Sequence, residues 1–250
     1  MTDKPTWTDV VKYYNHKKTR YRILCAYNDG NGNIQHECAF MGNRDPDRCH
    51  KASGFAFYDF ALSNFIVPQH CGWFKSLLIM DMPNIPPSKE GRLKVQKEIR
   101  DNFEDYWNGT NYCIDIDSKD YLKSSVLWTQ RVLDVLWERR IPYSVKFSGS
   151  RGFHVQVSWL KWVRENVSES PIVAFNKMKD WAEGISKDAK VPFSVGNGID
   201  SALYSNRRQL WRTEWSVHPK TNLVAKPITE KELDDFKLEN FDPREVLKND

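Results

Sequence analysis

Alternating apolar and polar residues predict a β-hairpin in the stretch "PYSVKFSGSRGFHVQVSWL". Val145 and Phe147 alternate with polar residues before a turn at residues 149–152, and the alternation resumes after that turn. Side chains on a strand point alternately to the two faces of a sheet. One face of the hairpin therefore collects a set of polar side chains: Ser144, Lys146, Ser148, His154 and Gln156.

Apolar residues at helical spacing predict four helices, at residues 54–67, 88–107, 124–140 and 171–189. Pro142 ends the third of these, whose apolar face includes Leu133, Leu136 and Trp137. Thr229 and Glu232 form a capping-box pattern, which predicts the start of a last helix.

Strand-like segments alternate with these helices. The stretch "YRILCAYNDGNGNIQHECAF" predicts a hairpin around "NDGNGN", and strands are predicted for "WFKSLLIMDM", "NYCIDID", "NGID" and "NLVAKPI". A mixture of hairpins and separate helices is typical of the α+β class. We expect one catalytic domain over residues 1–250, with an N-terminal lobe at residues 1–86 and the motifs at residues 107–250.

Composition restricts the function classes. The chain has 250 residues, 37 Lys and Arg against 33 Asp and Glu, and a net charge of +4 without a basic tail. An anion-binding site must therefore be a local cluster. No apolar run approaches the roughly 18 residues of a membrane span, so we expect a cytoplasmic protein associated with the nucleoid or a replicon. Five scattered cysteines favour a reducing compartment over a disulfide framework.

Two aspartates in "CIDIDS" suggest a cation site. Asp115 and Asp117 are two residues apart in a predicted strand, so both carboxylates leave the same face. Adjacent carboxylates repel, and a hard divalent cation with oxygen ligands is the usual way to neutralise them. Asp200 in "NGID" offers a third carboxylate. A solvated pair of acidic residues explains the first two equally well.

Two basic segments suggest phosphate binding. The turn "GSRG" combines glycine freedom, backbone N–H groups and the guanidinium of Arg151. Downstream, Ser216, His218 and Lys220 point the same way if their segment is extended, and Arg208 and Arg212 share one side. A plain hairpin turn and a solvated basic face containing Glu214 are the alternative interpretations.

In chain order, "DID", "SGSRGFH", "ID" and "RRQLWR" followed by "SVHPKTNLVAKPI" resemble the catalytic small subunit of archaeal and eukaryotic DNA primases, within the archaeo-eukaryotic primase superfamily. The resemblance covers nearly the whole chain. It implies a primase small-subunit-like core, in which mixed or antiparallel sheets are flanked by helices.

The resemblance also implies a set of site residues. Two divalent metals, Mg²⁺ or Mn²⁺, would be held by Asp115, Asp117 and Asp200. The contacts to the incoming nucleotide would come from Ser148, Arg151, His154, His218 and Lys220, with Arg208 and Arg212 as further phosphate or template contacts.

The implied activity is that of a DNA primase or primase-polymerase, which joins nucleoside triphosphates on a single-stranded DNA template and releases pyrophosphate. A large primase subunit or another replication protein is a further implied partner. Two alternatives stay open. One is a repair polymerase of the kind associated with DNA ligase in end joining, whose hairpin motif typically has a lysine at the position of Arg151. The other is a non-catalytic nucleic-acid-binding replicon protein, against which the three carboxylates count.

The chain departs from the primase family in one respect. The family has a cysteine-rich zinc-binding segment between the hairpin histidine and the third aspartate, but residues 155–199 contain no cysteine. The residue types that bind zinc lie upstream instead, at His36, Cys38, Cys49 and His50. Since adjacent Cys49 and His50 are poorly spaced for one tetrahedral ion, zinc is the less favoured interpretation.

Overall fold

The computed structural model describes residues 3–27, 36, 38–42, 50–51, 70–80, 86, 88–119, 122–205, 207 and 210–249. The α-helices in these ranges are α1 (Trp7–Asn15), α2 (Lys17–Cys25), α3 (Lys89–Asp101), α4 (Leu122–Glu138), α5 (Arg164–Asn166), α6 (Pro171–Ala189), α7 (Glu230–Asp234) and α8 (Pro243–Lys248). The strands are β1 (Cys38–Gly42), β2 (His50–Lys51), β3 (His70–Ser76), β4 (Leu78–Met80), β5 (Trp107–Thr110), β6 (Tyr112–Asp117), β7 (Ser144–Phe147), β8 (Gly152–Val157), β9 (Gly198–Ile199), β10 (Leu210–Arg212) and β11 (Pro227–Ile228).

A five-stranded sheet in the order β11-β7-β8-β6-β9 forms the centre of the fold. Its strands pair antiparallel, and β6 and β8 share six residue pairs, from Tyr112 opposite Val157 to Asp117 opposite Gly152. Helices α4 and α6 pack against each other and against this sheet. Tyr112 on β6 packs on Trp181 with ring centroids 4.9 Å apart, and its hydroxyl donates to the Ala174 carbonyl. The opposite face of β6 is left for Asp115 and Asp117.

A second sheet in the order β10-β3-β1-β2 lies beside a separate apolar cluster. That cluster joins α1 and α2 to β3 and to the C-terminal part of the chain through Val10, Tyr13, Tyr14, Ile23, Tyr27, Trp73, Val217, Val224 and Val246. Strands β4 and β5 form a small third sheet. The α+β class with antiparallel sheets flanked by helices is confirmed, whereas the single domain over residues 1–250 stays a prediction.

Most predicted elements are present with shifted ends. The helix expected at 88–107 stops at Asp101, after which Phe103–Tyr106 forms a 3-10 turn and Trp107 begins β5. The capping box of Thr229 and Glu232 is formed at the start of α7. The long strand expected for "NLVAKPI" is reduced to Pro227–Ile228, with one isolated bridge between Val217 and Val224. The helix predicted at 54–67 lies outside the described residues.

The hairpin around "NDGNGN" and the burial of Trp137 were wrongly predicted. The first arm of the predicted hairpin around "NDGNGN" belongs to helix α2, because Ile23 is buried in the second apolar cluster from a helical position. Only the second arm is a strand, β1. Trp137 was placed on the apolar face of its helix but is 75% exposed. Across the ranges that the structure describes, no helix combines the length and apolar character needed to cross a bilayer.

Candidate active site

Three aspartates meet at one edge of the central sheet. Strand β6 alternates buried Ile114 and Ile116 with Asp115 and Asp117, so the two carboxylates share the face that the helices leave free. Strand β9 pairs with the end of β6, and the backbone N–H of Asp200 donates to the Asp115 carbonyl at 2.7 Å. The strand order therefore brings Asp200 next to a pair from which it is distant in sequence.

The acidic residues are electrostatically strained. Burial, and then the charges of Asp117 and Asp200, raise the pKa of Asp115 well above its usual value. Burial also raises the pKa of Asp117. Arg151 opposes this rise, because its Nη2 lies 3.1 Å from Asp117 Oδ2. Oδ1 of Asp115 is buried and accepts no hydrogen bond within the described part of the chain. A cation near Asp115 would relieve this strain.

The arrangement fits a divalent cation in its ligand chemistry, although the side chains are not already gathered around one point. No group of three His, Cys, Asp or Glu side chains among the described residues has the geometry of a metal site. The three aspartates nevertheless line the same cavity, and carboxylate oxygens are the ligands that Mg²⁺ and Mn²⁺ prefer. The orphaned oxygen of Asp115 is the observation that supports the fit.

The β7–β8 hairpin has the predicted register. Ser144 lies opposite Gln156 and Lys146 opposite His154, so the polar faces of the two strands coincide. Gly149 in the turn has φ of +87°, a conformation that favours glycine. Ser148 is buried at the end of β7, and its backbone N–H donates to the Gly152 carbonyl at 2.9 Å.

His154 lies between the acidic residues and a tryptophan. Its ring is 4.0 Å from that of Trp211, and its Nε2 is 3.5 Å from Asp115 Oδ1 without forming a hydrogen bond. Burial, followed by the charges of Lys146 and Arg212, lowers the pKa of His154 well below its usual value. The histidine is therefore neutral at physiological pH, and its contact with Asp115 is not an ion pair.

The segment after β10 is not extended as the sequence suggested. Trp215 adopts φ of +67°, which turns the chain, and Ser216 is fully buried with its hydroxyl donating to the Trp73 carbonyl. Ser216 therefore does not share a face with His218 and Lys220. These two residues do line the cavity of the aspartates, and the Lys220 backbone N–H donates to His218 Nδ1 at 3.2 Å.

The loop that carries His218 and Lys220 is joined to the hairpin turn. The hydroxyl of Thr221 donates to the Gly149 carbonyl. His218 is itself neutral, because burial and then the charges of Arg212 and Lys220 lower its pKa to about 3. Arg212 stays charged, although burial lowers its pKa to about 10, and its guanidinium stacks 4.6 Å from the ring centre of Phe74.

One cavity of about 410 Å³ gathers nearly all the predicted site residues. Its lining includes Asp115, Asp117, Asp200, Ser148, Arg151, His154, Arg212, His218 and Lys220. Arg208 lies outside the described residues. Ser150 of the predicted "GSRG" turn lines the same cavity, and so do Phe74, Ala202 and Leu203, which were not predicted. The nearby cluster of Lys75, Lys146 and Glu214 was also missed, since its ion pairs join distant parts of the chain.

The zinc prediction is untested. His36 is buried with its Nδ1 2.9 Å from the Leu78 carbonyl, while Cys49 and the side chains of Cys38 and His50 lie outside what the structure describes. Of the tryptophans near the basic segments, Trp159 and Trp211 are buried, whereas Trp215 is partly exposed beneath the guanidinium of Arg22.

Neither a protein-family model nor a curated protein matches the sequence. Solved structures do match, among them the polymerase domain from Mycobacterium tuberculosis ligase D in complex with DNA. The match has a TM-score of 0.60 at 14% identity and covers 98% of this chain and 88% of that domain. The chain therefore shares the fold of that polymerase domain. The resemblance to the primase superfamily, and to its small subunit in particular, stays a prediction.

Proposed function

We propose that the chain is a primase-polymerase-type nucleotidyltransferase that extends a DNA strand on a single-stranded template. The observation that carries the proposal is the cavity in which three carboxylates face Arg151, Arg212 and Lys220. A cavity with an acidic wall and a basic wall suits a metal-bound polyphosphate better than either ion alone. The fold match to a ligase D polymerase domain complexed with DNA supports a DNA substrate.

In this proposal the acidic wall holds the cations. Asp115, Asp117 and Asp200 would bind Mg²⁺ or Mn²⁺, which when bound lowers the pKa of an attacking 3′-hydroxyl and stabilises charge on the leaving pyrophosphate. With a cation on the Asp117 carboxylate, Arg151 would lose its present partner and would be free to contact the triphosphate.

The basic wall orients the triphosphate. Arg151, Arg212 and Lys220 supply charge, while Ser148 and Ser150 supply hydrogen-bond donors. His154 and His218 add no charge to this wall, because burial lowers their pKa values. As neutral rings, they orient the phosphates by donating single hydrogen bonds.

Two activities are candidates. Initiation without a primer follows from the primase resemblance, whereas extension of an existing strand follows from the ligase D match, which favours the repair-polymerase alternative. We therefore propose extension as the main activity. A partner subunit and the preference between ribo- and deoxyribonucleotides are not needed for this proposal.

A primer-extension assay tests the function. The protein is incubated with Mg²⁺ or Mn²⁺ and labelled ribo- or deoxyribonucleoside triphosphates on primed, gapped and unprimed single-stranded DNA. Extended primers that are absent with the Asp117→Asn variant are the expected result. Products on unprimed DNA alone would favour a primase, and protein that binds DNA but makes no product under any condition would refute the proposal.

A further inference from the structure

Lys75, Glu214 and Lys146 form a lysine–glutamate cluster next to the candidate active site, in which both lysines are buried and the Glu214 side chain is 20% exposed. The Nζ atoms of Lys75 and Lys146 lie 2.9 Å from Oε2 and Oε1 of Glu214, respectively. The lysine side chains are only 8% and 5% exposed. Burial would raise the pKa of Glu214, but the charges of Lys146 and Lys75 outweigh it and hold the carboxyl ionised.

The cluster connects the two main sheets. Lys75 lies on β3, and Glu214 lies just after the end of β10; both strands belong to the second sheet. Lys146 lies on β7 of the central sheet. The ammonium of Lys146 also donates to the Arg212 carbonyl, and that of Lys75 donates to the Ala26 carbonyl at 3.1 Å. Glu214 therefore bridges two cations that belong to different sheets.

The cluster also lies against the wall of the active-site cavity. A second cavity of about 460 Å³ is lined by all three cluster residues, and it shares His154 and Trp211 with the active-site cavity. Trp211 pairs with Lys75 across β10 and β3, and its ring lies 5.3 Å from Lys146 Nζ. The Trp211 ring beside His154 is therefore in contact with Lys146, and the strand that carries it is paired with the strand of Lys75.

Stability alone gives little reason for this arrangement. Taking three charges out of water is costly, and replacing a buried ionic cluster by apolar residues of similar size is often neutral or stabilising. Directional contacts are different, because an apolar side chain cannot hold the Arg212 carbonyl or fix the distance between two strands of different sheets. The cluster is thus better suited to setting positions than to adding stability.

We propose that Glu214 is a positioning residue for nucleotidyl transfer: by bridging Lys75 and Lys146 it holds Trp211 against His154 and keeps Arg212 in the wall of the active-site cavity. The link to nucleotidyl transfer rests on the proposed function, whereas the positioning of His154 does not.

The first test compares Glu214→Gln with Glu232→Gln. Glu232 pairs with Lys226 at 3.1 Å on the exposed helix α7, so its variant makes the same charge change away from the cavity. Calorimetry with a deoxyribonucleoside triphosphate and Mg²⁺ measures nucleotide affinity. We expect Glu214→Gln to weaken it roughly tenfold to a hundredfold, the range for one charge-assisted hydrogen bond, and Glu232→Gln to leave it unchanged. Equal affinities in the two variants would overturn the proposal.

A second variant separates positioning from stability. The triple change Lys75→Met, Lys146→Met and Glu214→Leu removes all three charges, so we expect it to fold at least as stably as Glu214→Gln. Its nucleotide affinity should stay as weak as that of the single variant, because the contacts to Arg212 and Trp211 are not restored. Recovery of affinity together with stability would show a merely structural role. If Glu214→Gln does not fold, the triple variant decides alone.

A third measurement needs no nucleotide. The ring of Trp211 shifts the NMR signals of the His154 ring, which can be assigned among six histidines with His154→Gln. Glu214→Gln should move these signals and Glu232→Gln should not. Wild-type protein that binds no triphosphate would refute the proposed function, and the His154 signals would then test the positioning separately. If the His154 signals do not move in Glu214→Gln, the proposed positioning role of Glu214 is wrong.

Discussion

Substituting Gly152 by alanine should damage the active site through the backbone. Gly152 begins β8 and pairs with Asp117 on β6. A Cβ atom on Gly152 would lie 2.0 Å from the Ile116 carbonyl oxygen and 2.4 Å from Asp117 Oδ1. The first of these atoms belongs to a central strand and cannot rotate away, so β6 and β8 must separate where the carboxylates are held.

The magnitude follows from this overlap. Overpacking by a single carbon in a well-packed site costs about 1–3 kcal/mol, and a clash with a backbone oxygen belongs at the upper end of that range. Gly184 is the matched control, because it lies inside helix α6 and an added Cβ would meet nothing within 4 Å. Gly184→Ala should stabilise the protein by about 0.5–1 kcal/mol through helix propensity.

Urea unfolding of metal-free protein measures both changes. The two variants should differ by about 1.5–4 kcal/mol in the free energy of unfolding, the sum of the two expected effects. Gly152→Ala should also lose primer extension, whereas Gly184→Ala should keep it. Equal stability of the two variants, or a fully active Gly152→Ala, would refute the account of how β6 and β8 hold Asp117.

Three further predictions concern the cavity. Asp115→Asn should abolish extension yet leave metal-free stability equal or higher in urea unfolding, because it removes one of several crowded carboxylates; a marked loss of stability would contradict this. The pKa of His218 is about 3 in the folded protein and about 6.5 in the unfolded chain, so the unfolded chain binds the proton more readily. Protonation of His218 should therefore destabilise the folded protein progressively as pH falls from about 6.5 towards 3. In thermal unfolding, the Tm of His218→Asn should therefore fall less over that pH range than the Tm of the wild type. Parallel curves of Tm against pH for the two proteins would argue against this role of His218. Lys220→Ala should weaken nucleotide binding roughly tenfold to a hundredfold in calorimetry and single-stranded DNA binding less, whereas exposed Lys231→Ala should change neither.

Local pattern predicted the parts of the site that lie within single elements. The alternation around residues 149–152 indicated which side chains share a face of the hairpin, and the observed pairing of Lys146 with His154 agrees. The spacing of Asp115 and Asp117 likewise placed both carboxylates on one face of β6. Strand parity is a local property, which explains why a single sequence sufficed.

Contacts between distant segments could not be predicted in the same way. Glu214 entered only the alternative interpretation, a solvated basic face, because nothing in its neighbourhood shows that Lys75 and Lys146 arrive from other strands. The shared face of Ser216, His218 and Lys220 depended on an extended segment, but the turn at Trp215 sends Ser216 inward. A non-glycine residue with positive φ is rare, and its position depends on tertiary contacts.

The hydrogen bond from Thr221 to the Gly149 carbonyl connects the two loops that line the cavity, so we expect them to become ordered together. A ligand that orders the turn of Ser148 and Arg151 also orders the loop of His218 and Lys220, so conformational entropy is lost once for both. Contacts made by the two loops should therefore not contribute independently to affinity. Removing Arg151 and Lys220 together should cost less binding free energy than the sum of the two single losses. Without the hydrogen bond from Thr221 to Gly149, the loss in the double variant should come closer to that sum.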